Sequence, residues 1–127
     1  MPLVRIDLRQ GKPPEYRRAI GAAVYDTMVE VLGVPKDDRF QVIAEHAPDD
    51  LVADPAYLGI HRSADCVLIQ ITLSAGRTVE VKRAFYARLA EELGRRVGLR
   101  PEDVFVSLVE VARENWSFGL GEAQYVR

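Results

Sequence analysis

A chain of 127 residues, 48% hydrophobic and 28% charged, is sized for one domain and has the make-up of a soluble globular protein. Its net charge is −2 and its lysines and arginines are scattered, without a basic aromatic-rich face, which argues against a nucleic-acid partner. One cysteine, Cys66, rules out an internal disulfide and fits a reducing cytoplasm, and no apolar run approaches the ~20 residues that span a bilayer.

The chain opens on Met1-Pro2-Leu3-Val4-Arg5-Ile6-Asp7-Leu8, which alternates as a strand from its second residue. Arg5 and Asp7 interrupt any apolar core of a signal peptide. An initiator Met before a small residue such as Pro is commonly removed. Pro2 then carries a free secondary amine, and α-amino groups titrate near ~7.7–8.0, where proton transfer at neutral pH is efficient. The plainer reading is that proline is tolerated as the first residue of a strand.

Gly11 and Pro13-Pro14 end the strand and open a helix, because a missing N–H costs nothing in a first turn. Ala19, Ala23, Val24, Met28, Val31 and Leu32 recur at helical spacing as far as Gly33, a stop signal. A second strand is expected over 39–45. The segment 46–65, with Pro48, Pro55 and Gly59, reads as a loop with short extended pieces. A third strand follows over 66–74, then a helix from about 78 to 97 whose Val81, Phe85, Leu89, Leu93 and Val97 form one stripe, with Gly98 as its stop. A fourth strand covers 104–111. The tail over 112–127, with Trp116, Phe118 and several glycines, suggests a hairpin or short turn docked on something apolar.

The two halves are copies. Displaced by 65 positions, the sequence meets itself without a gap: Leu3 falls on Leu68, Ile6 on Ile71, Gly11 on Gly76, Glu15 on Glu80, Gly33 on Gly98, Asp38 on Asp103, Phe40 on Phe105 and Glu45 on Glu110. Pseudo-repeats 2–45 and 67–110 are each β-α-β, a unit that makes parallel strands with a right-handed crossover. Two of them predict one α+β domain over 1–127, a four-stranded sheet with both helices on one face. The strands around Val67-Leu68-Ile69 and Val104-Phe105-Val106 read as apolar on both sides, so the bare face predicts an obligate oligomer.

The repeat sets Pro2 against Val67, so only the first copy has a possible terminal amine. Asp38, at the start of the second strand, should lie at the same sheet edge as Pro2, where an anion keeps an ammonium charged. The plainer reading on spacing alone is a turn or cap residue, as Asp103 would be. Arg77, at a strand-to-helix turn, suits a carboxylate or is a solvated arginine like its mate Lys12. Within one chain it belongs at the opposite edge from Pro2, unless a flanking strand packs antiparallel or another chain brings it. Trp116, Phe118 and Tyr125 can wall a dry pocket or pack an interface. His46 and His61 lack a metal-ligand pattern, and no metal or organic cofactor is expected. Cys66 reads as a small buried hydrophobe.

This combination resembles the tautomerase superfamily and, within it, the malonate semialdehyde decarboxylase family. The segments that carry the likeness are Pro2-Leu3, Val34 through Gln41, Gly59-Ile60-His61-Arg62-Ser63 and Trp116 through Tyr125. The resemblance implies a homotrimer of fused double units with a site at Pro2 near a subunit boundary. It implies catalytic roles for Pro2, Asp38 and Arg77, and substrate contact by Trp116, Phe118 and Tyr125. The best-known members carry two arginines in the loop before the second helix. This chain has Ser74-Ala75-Gly76-Arg77, with Ala75 at the first of the two positions, as in a single-arginine branch of the family.

The activity so implied is decarboxylation or hydration of a small oxo acid such as malonate semialdehyde. Keto–enol tautomerisation of phenylpyruvate-like substrates is the close alternative. A non-enzymatic binding trimer of the macrophage migration inhibitory factor kind is the more distant one.

Overall fold

The computed structural model describes residues 1–127. Strand β1 (Pro2–Arg9) is followed by helix α1 (Pro14–Leu32), β2 (Gln41–His46), β3 (Val67–Ser74), helix α2 (Val79–Val97) and β4 (Val104–Val111). Every predicted element is present within two residues of its expected ends. The connector between β2 and β3 contains two single 3₁₀ turns, at Pro48–Asp50 and Tyr57–Gly59. After β4 the tail makes two more, at Arg113–Asn115 and Gln124–Val126, and no strand.

The helix ends follow from local chemistry. Pro14 occupies the first turn of α1, and the hydroxyl of Thr78 caps α2 by accepting the Val81 N–H at 3.2 Å. Gly33 and Gly98 close the two helices with φ of 71° and 70°, the left-handed conformation that glycine adopts without a Cβ penalty. They are repeat mates doing one job twice.

The sheet order is β2-β1-β3-β4. Each repeat contributes a parallel pair, β1 with β2 and β3 with β4. The two repeats join through β1 and β3, which run antiparallel with Pro2 opposite Leu73 and Asp7 opposite Leu68. Both helices cover one face. There Val4, Ile6, Leu8, Val67, Ile69, Ile71 and Leu73 meet Ile20, Val24 and Met28 of α1 and Phe85, Leu89 and Leu93 of α2. The α2 stripe is as expected, buried in the middle and half-buried at Val81 and Val97. In α1 the stripe runs through Ile20 rather than Ala19, which is only half-buried, because the sheet reaches the larger side chain.

The opposite face is open. Leu3, Val42, Phe105 and Val109 stand exposed on it, interleaved with Arg5, Gln70 and Ser107. Strand β3 therefore alternates, with Leu68, Gln70 and Thr72 outward, and is less apolar on that side than its sequence suggested.

Helices α1 and α2 are clamped by charge. Glu92 has a side chain only 4% exposed and accepts from Arg95 at 2.5 Å and Arg96 at 2.9 Å, with Arg88 at 3.2 Å. Arg96 also reaches Asp26 on α1 at 2.8 Å, and Arg88 reaches Glu30 at 3.4 Å. The hydrogen bond from Arg95, aided by Arg96 and Arg88, pulls the Glu92 carboxyl down from 4.5 to about 2. A carboxyl depressed on folding stabilises the fold above its unfolded pKa and ceases to as pH falls through the folded value. Glu92→Gln should therefore be less stable than wild type in urea at pH 7, and the gap should close between pH 4.5 and about 2.

Close approach of α1 to β2 also constrains Gly21. A Cβ there would lie 2.8 Å from Gln41 Oε1 and 3.2 Å from Ile43 Cδ1, while Gln41 Nε2 donates to the Gly21 carbonyl at 2.9 Å. Alanine usually stabilises a helix over glycine by about 0.5–1 kcal/mol, but overpacking costs about 1–3 kcal/mol. Gly21→Ala is expected to lower the thermal midpoint by several degrees, measured by circular dichroism, rather than raise it.

Candidate active site

The antiparallel β1–β3 pairing brings the start of β1 and the end of β3 to one sheet edge. Arg77 follows β3, so the arginine assigned to the far edge in a purely parallel sheet lies near the amino terminus after all. Of the two routes left open by the sequence, the antiparallel flank is the one taken.

Asp38 reaches the same edge through a tight turn. The Asp38 N–H donates to Pro35 O at 3.3 Å, and Asp37 holds a positive φ of 68° with its N–H bonded to the Tyr25 hydroxyl at 2.8 Å. That is a type II turn with a non-glycine residue at its left-handed position, held by a bond to α1. It presents the Asp38 carboxylate to the terminus, with Oδ2 3.8 Å from the Met1 amine. Asp38 Oδ1 is buried and has no hydrogen-bond partner. Burial raises the Asp38 carboxyl above its ordinary value, and the ammonium partly offsets this. Burial lowers the terminal amine, with Asp38 opposing and Arg77 adding to the fall.

The repeat mate of Asp38 behaves differently. Asp103 is 1% exposed and fully engaged: Ser63 donates from its N–H and its hydroxyl at 2.7 Å each, and Arg100 Nε lies at 3.3 Å. The connector thus fills in the second copy the place that the terminus leaves open in the first. Position by position the two carboxylates match, but only Asp38 retains an unused oxygen.

Arg77 is anchored rather than free. Its Nε donates to Leu32 O at 2.9 Å and its Nη1 to Ser74 O at 3.1 Å, which ties the loop to the last turn of α1. Three of its five N–H groups remain for a ligand. Trp116 donates from Nε1 to Ser74 Oγ at 3.1 Å, stacks on Phe118 at 5.7 Å between centroids, and Phe118 meets Tyr125 edge-on at 4.8 Å. Gln124 holds the tail's own turn, accepting from Phe118 N–H and donating to Gly119 O.

The expected aromatic wall is therefore a contiguous unit at the terminus. One recess is lined by Met1, Pro2, Leu3, Phe40, Trp116, Ser117 and Phe118, and a second by Met1, Ser74, Ala75, Arg113 and Tyr125. Met1 lines both. Sequence reading missed Phe40, Ser74 and Arg113. The only signal for Arg113 was indirect: the loop lacks a guanidinium at Ala75.

Residues 38–119 and 2–60 each match a family model described as tautomerase enzyme. The chain belongs to the tautomerase superfamily. Its similarity to the probable tautomerase YusQ of Bacillus subtilis is 37% identity over 99% of both chains. Two solved structures of malonate semialdehyde decarboxylase superpose on this chain with a TM-score of 0.91 each. One is an FG41 enzyme inhibited by 3-bromopropiolate, 46% identical over 98% of this chain and 94% of its own. The other was solved in wild-type and inactivated forms and with its first-position proline replaced by alanine, and is 36% identical over 98% and 95%. A symmetric trimer of fused 4-OT is 26% identical, with a TM-score of 0.78 over 94% of each chain.

The opposed charges make a titration test. With Met1 retained, Asp38→Asn should lower the pKa of the terminal amine further, and Arg77→Gln should raise it, followed by ¹⁵N chemical shift against pH. Because burial raises the Asp38 carboxyl on folding, its ionised form weighs against the fold at neutral pH. Asp38→Asn should accordingly unfold at a higher temperature than wild type at pH 7.

Proposed function

We propose that this member of the tautomerase superfamily is a cofactor-independent decarboxylase and hydratase of a small oxo acid such as malonate semialdehyde, working from the amine of Pro2 after Met1 is removed. The observation that carries this reading is the buried, unpartnered Oδ1 of Asp38 beside the amino terminus. A buried carboxylate oxygen without a partner costs stability and is tolerated where a ligand, water or charged donor is to meet it. The 46% identity with a malonate semialdehyde decarboxylase over nearly the whole chain supports the same substrate class.

Loss of Met1, which lines both recesses, exposes the buried Pro2 as a secondary ammonium. Asp38 holds that ammonium. The ammonium donates a hydrogen bond to the aldehyde oxygen of the substrate. The C1–C2 bond then breaks, its electron pair moves into a C2–C3 enol, CO₂ departs, and protonation at C2 gives acetaldehyde. Arg77, fixed by two carbonyls, orients the carboxylate. The wall of Trp116, Phe118 and Tyr125 excludes water and strengthens each of these charge interactions.

A trimer fits the open sheet face. Leu3, Val42, Phe105 and Val109 are exposed on it, and fused 4-OT is a trimer. Covering such side chains at roughly 25 cal/mol per Å² favours association.

Keto–enol tautomerisation is the second reading. In the unprocessed chain the Met1 amine is lowered by burial and by Arg77 against the opposing Asp38, and the same surroundings around a freed Pro2 favour a neutral base; the YusQ relative is a probable tautomerase. The two readings differ in the resting charge of Pro2, so its pKa in the processed protein discriminates them. Below about 7 the base chemistry gains; well above 7 the decarboxylase does.

Mass spectrometry of the intact protein should find Met1 absent. Turnover of malonate semialdehyde should exceed that of phenylpyruvate, and Pro2→Ala should lose about 10²–10⁴-fold in kcat, the usual worth of a positioned acid or base. Full activity with Met1 retained, or in Pro2→Ala, would sink the proposal.

A further inference from the structure

We infer that Arg113 is a second carboxylate-binding group of this site, standing in for the guanidinium that Ala75 does not supply. The inference rests on the oxo-acid reading above and adds to it a residue outside the loop. Arg113 lines the recess that also contains Met1, Ser74, Ala75 and Tyr125, and no carboxylate lines that recess. The guanidinium lies over the Tyr125 ring at 5.3 Å, forms no ion pair and donates no side-chain hydrogen bond. Its whole donor fork is available, whereas Arg77 has already committed its Nε and an Nη1 hydrogen to backbone carbonyls.

The placement follows from the fold. Strands β3 and β4 are parallel and in register to their ends, with Ser74 opposite Val111, and Ala75 N–H donates to Val111 O at 3.0 Å. Ala75 and Arg113 therefore leave adjacent strand ends side by side. The turn at Arg113–Asn115 carries the chain on to Trp116, which is bonded back to Ser74. Tyr125 offers its ring face to the cation, which holds a planar guanidinium better than an ammonium. Arg113 presents a planar fork to the recess that Ala75 lines, two residues before Arg77 in the chain. Such a fork suits a small acid whose carboxylate must be held while the neighbouring C–C bond breaks.

The test uses the processed full-length chain and compares wild type with Arg113→Lys, Arg113→Met and Arg113→Gln. Kinetics with malonate semialdehyde are read beside malonate binding by calorimetry. Arg113→Gln should raise KM and weaken malonate by about tenfold, the low end for a charged hydrogen bond at an exposed site, with kcat within a few-fold. Arg113→Lys should recover part of the loss, and Arg113→Met, which keeps apolar contact with Tyr125 but no charge, should recover none. Arg113→Gln should also flatten the rise of KM with salt. The assembly mass should be unchanged.

Wild-type KM and malonate affinity in Arg113→Met overturn the inference, because the side chain then only braces Tyr125. A variant that dissociates overturns it too, assigning Arg113 to a subunit contact. The broader reading fails separately: if wild type does not turn over the oxo acid but binds malonate through Arg113, the carboxylate site stands and the decarboxylase does not.

Discussion

The antiparallel ladder between β1 and β3 is the contact on which the rest of the molecule depends. Each repeat alone is a parallel pair with one helix, too little to bury its own apolar face. Joined through β1 and β3, the two halves share one core, in which Val4, Ile6, Ile69 and Ile71 line the middle of the sheet beneath both helices. The same ladder reverses the second repeat relative to the first. A strand end of one copy and a strand start of the other then meet at each edge, and a residue that opens β1 can share a site with residues that follow β3.

Duplication followed by divergence is visible in how the two edges are finished. At one edge Asp103 is saturated by Ser63 and Arg100, and Lys12 pairs with Asp65. At the other Asp38 keeps a buried oxygen unused, and Arg77 is fastened to backbone rather than to an acid. The physical difference is chain connectivity. Segment 46–65 enters β3 and brings the Ser63 donors to Asp103, whereas no side chain or N–H meets Asp38 Oδ1. An unfilled polar group in a buried place is a reservoir of binding energy. It is found at only one of the two matched edges.

The tail does for this edge what the connector does for the other, with aromatic rather than polar groups. Trp116 stacks on Phe118, which meets Tyr125 edge-on; the group is tied to Ser74 through the indole N–H and forms a wall against the amino terminus. Glycines at 119 and 121 allow the tight path, with φ of 130° and 68°. Low-dielectric walls around few charges make each charge count for more, and the opposed shifts of the terminal amine and Asp38 record that environment.

The repeat, the element order and the helix stops are legible in the chain of residues, because periodicity, Pro13-Pro14, Gly33 and Gly98 act locally. The sequence also picked out Pro2, Asp38, Arg77, Trp116, Phe118 and Tyr125 as residues worth bringing together. Whether they meet was beyond it. The direction in which β1 and β3 pair is a property of two complete halves, and either direction satisfies the same alternation of apolar residues. Tertiary structure alone decided that Arg77 reaches the edge of Pro2, that Asp38 differs from Asp103, and that Arg113 stands beside Ala75. Each of these depends on strands more than thirty residues apart in the chain, which no local pattern encodes.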